Sequence, residues 1–226
     1  MTRSIPLVRT LLLAATLACA AIAAHAQGGN HRQEAIHRGA TTTHAITIGT
    51  AMPATDVAMK GVDGRSFTLA QAAGKKGTLV LFICDHCPWV KAWQSRIAEL
   101  GAAAAKQGVG VIAVNPNDPA AYPEDAYDEM VKRAKDVGYT FPYVVDATSD
   151  VARMFGASHT PEAFLFDAKG KLVYHGAVDD NAQDIKAVQS RWLADAVTAL
   201  ATDKPVATAE TKAMGCGIKF REKAAD

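Results

Sequence analysis

Two cysteines separated by two residues, Cys84-Asp85-His86-Cys87, are the part of this sequence best suited to chemistry. Thiol–disulfide exchange needs one thiolate to attack and a second sulfur close enough to resolve the mixed disulfide, and a two-residue spacer lets the pair close a short ring. Before the pair, Thr78-Leu79-Val80-Leu81-Phe82-Ile83 is a nearly unbroken apolar run of strand length. After it, Val90, Trp93, Ile97, Leu100 and Ala104 recur at helical spacing, with Gly108 as a stop. The dithiol therefore stands where a buried strand gives way to a helix. First-turn N–H groups of a helix lack partners and its dipole places partial positive charge there, which favours a thiolate over the thiol of a free cysteine, whose pKa is about 8.5. The expectation is that Cys84 attacks and Cys87 resolves. Pro88 falls just inside the helix, where its missing N–H costs nothing. His86, if protonated, stabilises a neighbouring thiolate, and Asp85 opposes it.

Two other chemistries compete for the same residues. A zinc ribbon needs a second cysteine pair, and the sequence has none. Soft-metal capture by Cys84, Cys87 and either His86 or His175 stays open, as does a static structural disulfide. One further cysteine, Cys216, stands near the C-terminus between two glycines, either resolving a disulfide at the site or buried and inert.

Elsewhere the composition sets bounds. The chain has 226 residues, 49% hydrophobic and 21% charged, which suits one globular domain with extensions. Arg3 and Arg9, the apolar run Leu11 to Ala24 and the small residues of Ala24-His25-Ala26 read as an export signal over residues 1–26 with cleavage after Ala26. The apolar run is shorter than the roughly 20 residues needed to span a bilayer. Thr16, three before Cys19, does not fit a lipid-anchored alternative. Removing 1–26 takes away two arginines and no acid, moving the formal charge from +1 to −1. A nearly neutral mature chain without a basic cluster argues against nucleic acid or a membrane surface as partner. Three cysteines are too few for a disulfide scaffold and, in an oxidising compartment, an odd number suggests exchange.

Residues 27–45 are polar and read as a linker, with His31, His37 and His44 solvated. Residues 46–205 form the domain and 206–226 a tail. Met59 to Leu69 carries an Asp63-Gly64 hairpin turn. Gly110 to Asn115 is a second buried strand, Pro123 to Val137 a helix, Phe141 to Val145 an extended segment, and Asp150 to Phe155 a short helix. Ala163 to Phe166 and Lys171 to Tyr174 form a hairpin, and Val188 to Leu200 a last helix. Alternating strands and helices followed by a hairpin imply an α/β fold with a central mixed sheet flanked by helices and an N-terminal hairpin extension.

With these pieces in order, the sequence from about Ile46 to Ala201 resembles the thioredoxin-like redoxins, the grouping that includes the thiol-specific antioxidant (AhpC/TSA) proteins and exported thioredoxin-like proteins. The resemblance is carried by Phe82 to Lys91 around the dithiol, by Tyr122-Pro123-Glu124-Asp125, by Phe141-Pro142-Tyr143 and by Gly215 to Phe220. It implies a thioredoxin-like fold, redox activity of Cys84 and Cys87, and no cofactor. The partners it implies are disulfide-containing proteins, small thiols or peroxides, with a redox partner that supplies or accepts electrons. It also implies that Pro161, after Thr160, is cis and faces the dithiol, leaving the Thr160 backbone free to pair with a substrate peptide. Asp85, His86, Pro88, Trp89, Thr160 and Pro161 would then line the site. The pattern departs from thioredoxin in having Asp85-His86 between the cysteines and Pro88 after them. Cys-Pro at a helix start is similar to peroxiredoxins, where that cysteine attacks peroxide. A peroxiredoxin carries Thr or Ser three residues earlier and Pro seven earlier, where this chain has Cys84 and Val80. The peroxidase alternative makes Cys87 the attacking thiolate, resolved by Cys84 or Cys216.

Overall fold

The apolar run Gly77–Phe82 can sit only where both faces are covered, and it does. In the computed structural model, which describes residues 44–222, this strand lies inside a seven-stranded sheet with all six of its residues buried. In chain order the strands are β1 (Met59–Gly61), β2 (Ser66–Phe67), β3 (Gly77–Phe82), β4 (Val109–Asn115), β5 (Tyr143–Val145), β6 (His159–Thr160), β7 (Glu162–Asp167), β8 (Leu172–Gly176) and β9 (Cys216–Gly217). The main sheet runs β2-β1-β5-β4-β3-β7-β8, and β6 pairs with β9 apart from it. β3, β4 and β5 are mutually parallel, and the remaining pairs of the sheet are antiparallel. The mixed sheet, the N-terminal hairpin and the helices on both faces give the thioredoxin-like arrangement that the resemblance implied. The predicted signal segment, most of the polar linker and Cys19 lie outside the described residues.

Strand alternation divides the core in two. Leu79, Leu81 and Ile83 face a cluster closed by helices α1 (Pro88–Lys106), α2 (Tyr127–Val137) and α4 (Trp192–Ala201). Val80 and Phe82 face the other side, where helix α3 (Asp150–Phe155) packs Val151 and Phe155 against Leu69 and Phe164. Phe155 meets Phe82, Phe164 and Phe166 edge-on, at centroid distances of 5.2, 5.2 and 5.8 Å, the geometry the aromatic quadrupole favours.

Two boundaries differ from the sequence expectation. The helix expected from Pro123 breaks at Ala126 (ψ 152°), leaving a 3₁₀ turn over Pro123–Asp125 ahead of α2. That break points Asp125 at the dithiol loop. α4 begins at Trp192 rather than Val188, because the preceding residues close a loop on Asp180, which accepts from the Gln189 and Ser190 N–H groups.

The tail from Val206 returns to the sheet. Residues 209–211 run beside His175, and β9 pairs antiparallel with β6, setting Cys216 opposite Thr160 and Gly217 opposite His159. His159 is therefore part of a strand pair.

Candidate active site

β3 and α1 bring the dithiol into place. β3 ends at Phe82, Ile83 N–H bonds the Val114 carbonyl, and α1 starts at Pro88, so Cys87 rather than Cys84 is the residue that caps the helix. β7 supplies the opposite wall. Its register sets Glu162 against Phe82, which carries Pro161 and Thr160 past the end of β3 to the cysteines. The Thr160–Pro161 bond is cis, as the resemblance implied.

Three sulfurs gather around Thr160. Cys84 Sγ lies 2.9 Å from Thr160 Oγ1, Cys87 Sγ lies 3.2 Å from the Thr160 carbonyl oxygen, and Cys216 Sγ lies 2.8 Å from Cys87 Sγ. All three are reduced. Cys84 and Cys87 have no exposed surface, and Cys216 is partly exposed.

The environments of the three sulfurs differ. Cys87 is pulled down to about 5: the Cys84 thiol donates to its sulfur, and the Cys216 thiol and the backbone N–H groups of Val90 and Cys216 outweigh the cost of burial. The same bond holds the Cys84 proton on, and burial and the Asp125 charge add to it, so Cys84 lies far above the ordinary thiol range. Cys216 is pushed up to about 11 by burial and by its bond to Cys87. The helix terminus acts on the sulfur at the cap, and the sequence placed the helix start without settling which cysteine occupies it.

The spacer residues are braced by an acid the sequence reading did not single out. Asp125 Oδ1 accepts from the Asp85 and His86 N–H groups at 2.6 and 3.0 Å. Its Oδ2 accepts from Asn117 Nδ2 at 2.8 Å and pairs with His86 Nδ1 at 2.6 Å. The His86 ring stacks on Tyr122 with centroids 3.9 Å apart. Asp125 falls within the Tyr122–Asp125 segment of the resemblance, the one signal in the sequence that could have pointed to it.

Asp85 contrasts with Asp125. It is buried, one carboxylate oxygen accepts from the Tyr143 hydroxyl at 3.2 Å, and the other has no partner. Arg133 reaches its carbonyl at 3.2 Å but stays 3.9 Å from the carboxylate. Burial therefore wins over Arg133, and Asp85 is pushed up to about 7. Asp85 also lines a cleft of about 540 Å³ between α1 and α2 with Gln94, Glu129, Lys132 and Arg133. The sequence identified Asp85 as a lining residue, but its burial belongs to the fold.

The remaining expected residues divide. Pro88 opens α1 as predicted. Trp89 packs half-buried, its ring 5.8 Å from that of Trp93, and Trp93 is core, donating to Asp179 at 2.7 Å. His175 pairs with Glu162 at 2.6 Å and stacks on Phe164, so the fold engages it in strand packing. Among the described residues, the grouping with metal-ligand spacing is Cys84, His86 and Asp125, whose ligand atoms lie within 4.8 Å of one another. Its oxygen and nitrogen donors are already committed to each other and to the dithiol loop.

Comparison with known proteins fits this geometry. Thiol-disulfide oxidoreductase ResA of Geobacillus thermodenitrificans (strain NG80-2) is 30% identical over 132 residues, 58% of this chain and 70% of that protein. Among solved structures, a hypothetical protein, SMc02350, from Sinorhizobium meliloti 1021 has a TM-score of 0.73 at 36% identity, covering 80% of this chain and 98% of its own. An uncharacterized conserved protein from Geobacillus kaustophilus also has a TM-score of 0.73, at 34% identity over 79% and 94% of the two chains. The family model for the AhpC/TSA family matches residues 48–175, which take in β3, the dithiol, α1, the cis proline and β7 and stop well short of Cys216. More than half of the chain follows that pattern, and the chain belongs to the AhpC/TSA family.

Proposed function

We propose that this chain is an exported thiol–disulfide oxidoreductase in which Cys87 is the attacking thiolate and Cys84 the resolving thiol. The reading is supported by the opposed sulfur environments, which pull Cys87, at the helix cap, down and push Cys84 up. The identity to ResA-type thiol-disulfide oxidoreductases supports the reaction class.

In the reducing direction, the Cys87 thiolate attacks one sulfur of a disulfide, forming a mixed disulfide and releasing the other sulfur as a thiolate. Cys84 then gives up its proton and attacks Cys87 Sγ, which breaks the mixed disulfide and releases the second thiol. The chain ends with a Cys84–Cys87 disulfide and the substrate has gained two electrons. Asp85, next to Cys84 in the chain and pushed up to about 7, is the proposed acceptor for the proton that Cys84 sheds. A redox partner that reduces the disulfide closes the cycle, and the reverse sequence oxidises a dithiol.

Export rests on the basic Arg3 and Arg9, the apolar run to Ala24 and the Ala24-His25-Ala26 cleavage pattern, and it puts the mature chain outside the cytoplasm. No helix of the described residues is long and apolar enough to cross a membrane. Mass analysis of the chain purified from the cell envelope should find a mature N-terminus at Gln27.

The direct test is insulin reduction by the dithiothreitol-reduced protein. Cys87→Ser and Cys84→Ser should each lower the rate by about a hundredfold or more. Both variants at full rate would end the reading. A peroxidase reading shares Cys87 and draws on its lowered pKa and on Pro88 behind it. It requires peroxide-dependent consumption of a thiol that disappears in Cys87→Ser, and no peroxide turnover with any thiol reductant removes it.

A further inference from the structure

Neither Cys84 nor Cys87 has exposed surface, and the residue standing over Cys87 is the chain's own Cys216. The way the tail is held there shows a fitted site. Cys216 is paired with Thr160, on the backbone edge left open beside the cis proline. Gly215 crosses so close to that edge that a Cβ would come within 2.2 Å of the Thr160 carbonyl oxygen, which only glycine allows. Beyond the pair, Ile218 N–H bonds the Ser158 carbonyl at 2.9 Å and its side chain is buried. Lys219 N–H bonds Asn117 Oδ1 at 2.9 Å, and the Lys219 carbonyl accepts from Asp118 at 2.7 Å. Asn117 is also a donor to Asp125, so one side chain braces both the dithiol loop and the tail.

We propose that Cys216 is a third redox cysteine, borne on a strand that occupies the Thr160 edge as a built-in substrate and carrying disulfide exchange between the buried Cys84–Cys87 pair and the surface. This rests on the dithiol reading. The relay balances without any outside oxidant beyond the incoming disulfide. Cys216 Sγ attacks one sulfur of that disulfide, its proton passing to the Cys87 thiolate 2.8 Å away, and the other substrate sulfur leaves as a thiolate. Cys87 Sγ then attacks Cys216 Sγ, and the second substrate sulfur departs with the Cys87 proton. Finally Cys84 Sγ attacks Cys87 Sγ, breaking the Cys87–Cys216 bond, and Cys216 leaves with the Cys84 proton. Two thiols have become the Cys84–Cys87 disulfide, one substrate disulfide has become two thiols, and Cys216 is regenerated.

The test traps the middle step and then measures turnover. Cys84→Ser, equilibrated in dithiothreitol redox buffers and mapped by mass spectrometry, should carry a Cys87–Cys216 disulfide as its main bridge. Cys216→Ser and Cys216→Ala should each slow insulin reduction about tenfold or more, with circular dichroism spectra matching the parent and the Cys84–Cys87 bridge still forming under oxidant. The relay is overturned if no bridge to Cys216 appears in any buffer. It is also overturned if the Cys216 variants reduce insulin as fast as the parent or faster, which would make the tail a cover that substrates displace. Full insulin activity in Cys84→Ser and Cys87→Ser would instead remove the dithiol reading and the relay with it.

Discussion

Two segments deliver sulfur to one point, and different forces hold them. Between Gly77 and Lys106 the chain is fixed by burial: a strand paired on both sides with all residues inside, then a helix with Val90, Trp93, Ile97 and Ala104 in the core. Between Val206 and Glu222 only Ile218 is a buried apolar side chain, and strand pairing comes in short pieces, Cys216–Gly217 with β6 and single bridges at Glu210 and Phe220. The tail is held by directional contacts to His175 and Ala177 at residues 209–211, to Thr160, Ser158, Asn117 and Asp118 around Cys216, and to Ser149 and Arg153 at Arg221. Burial makes the dithiol a fixed point. Hydrogen bonds, each worth about 0.5–1.5 kcal/mol net, hold the tail instead.

The contrast can be broken by truncating side chains on each side. Ile97→Ala, in the middle of α1, should cost about 2–5 kcal/mol and lower the melting temperature clearly, because the void cannot collapse between α1 and the sheet. Gly215→Val should cost about 1–3 kcal/mol, yet act mainly on chemistry: it should dislodge β9, speed alkylation of Cys87 and abolish any Cys87–Cys216 bridge. Unchanged Cys87 alkylation would show that the close pairing at Thr160 does not hold the tail.

Asp85→Asn sharpens the fixed side through pH. The Asp85 carboxyl is raised from 3.8 to about 7 in the folded chain, so the stability attached to its protonated form is complete below about pH 4 and is lost as pH rises through 7. The neutral, isosteric asparagine escapes that loss. Its stability relative to the parent should rise by about 1–3 kcal/mol between pH 5 and pH 8 in denaturant titrations; a difference flat across that range would contradict the burial argument. The smallest effect is expected for Ile218→Ala, about 1–2 kcal/mol at the edge of the core, with faster Cys87 alkylation as its more sensitive readout.

The same division explains what could be read from the sequence. The fixed segment announced itself, because a strand buried on both faces must be apolar throughout and a helix against it must repeat every three to four residues. The hairpin at Asp63-Gly64 and the β7–β8 hairpin were legible for a similar reason, since turn residues and alternation are local. Pro161 was found through resemblance, and Cys216 was noticed only as an odd thiol. Its pairing with Thr160 depends on a receiving edge more than fifty residues away, and no local pattern encodes it. Which of the two sulfurs caps the helix was not legible for a related reason: a helix start can be read only to within a few residues, and only two residues separate Cys84 from Cys87. Asp85 and Asp125 show the limit most sharply. Both are acids near the loop, but one collects donors while the other keeps a bare oxygen, and only the packing of the Pro123–Asp125 turn decides which.

The central claim is that Cys87 is the thiolate of this site, and a pH titration of thiolate ultraviolet absorbance on the reduced protein tests it most directly. The account predicts an ionisation near about 5 that vanishes in Cys87→Ser and survives at higher pH in Cys84→Ser. No ionisation below about 8.5, the value for an unperturbed thiol, or a low-pH step that persists in Cys87→Ser and is lost in Cys84→Ser, would contradict it.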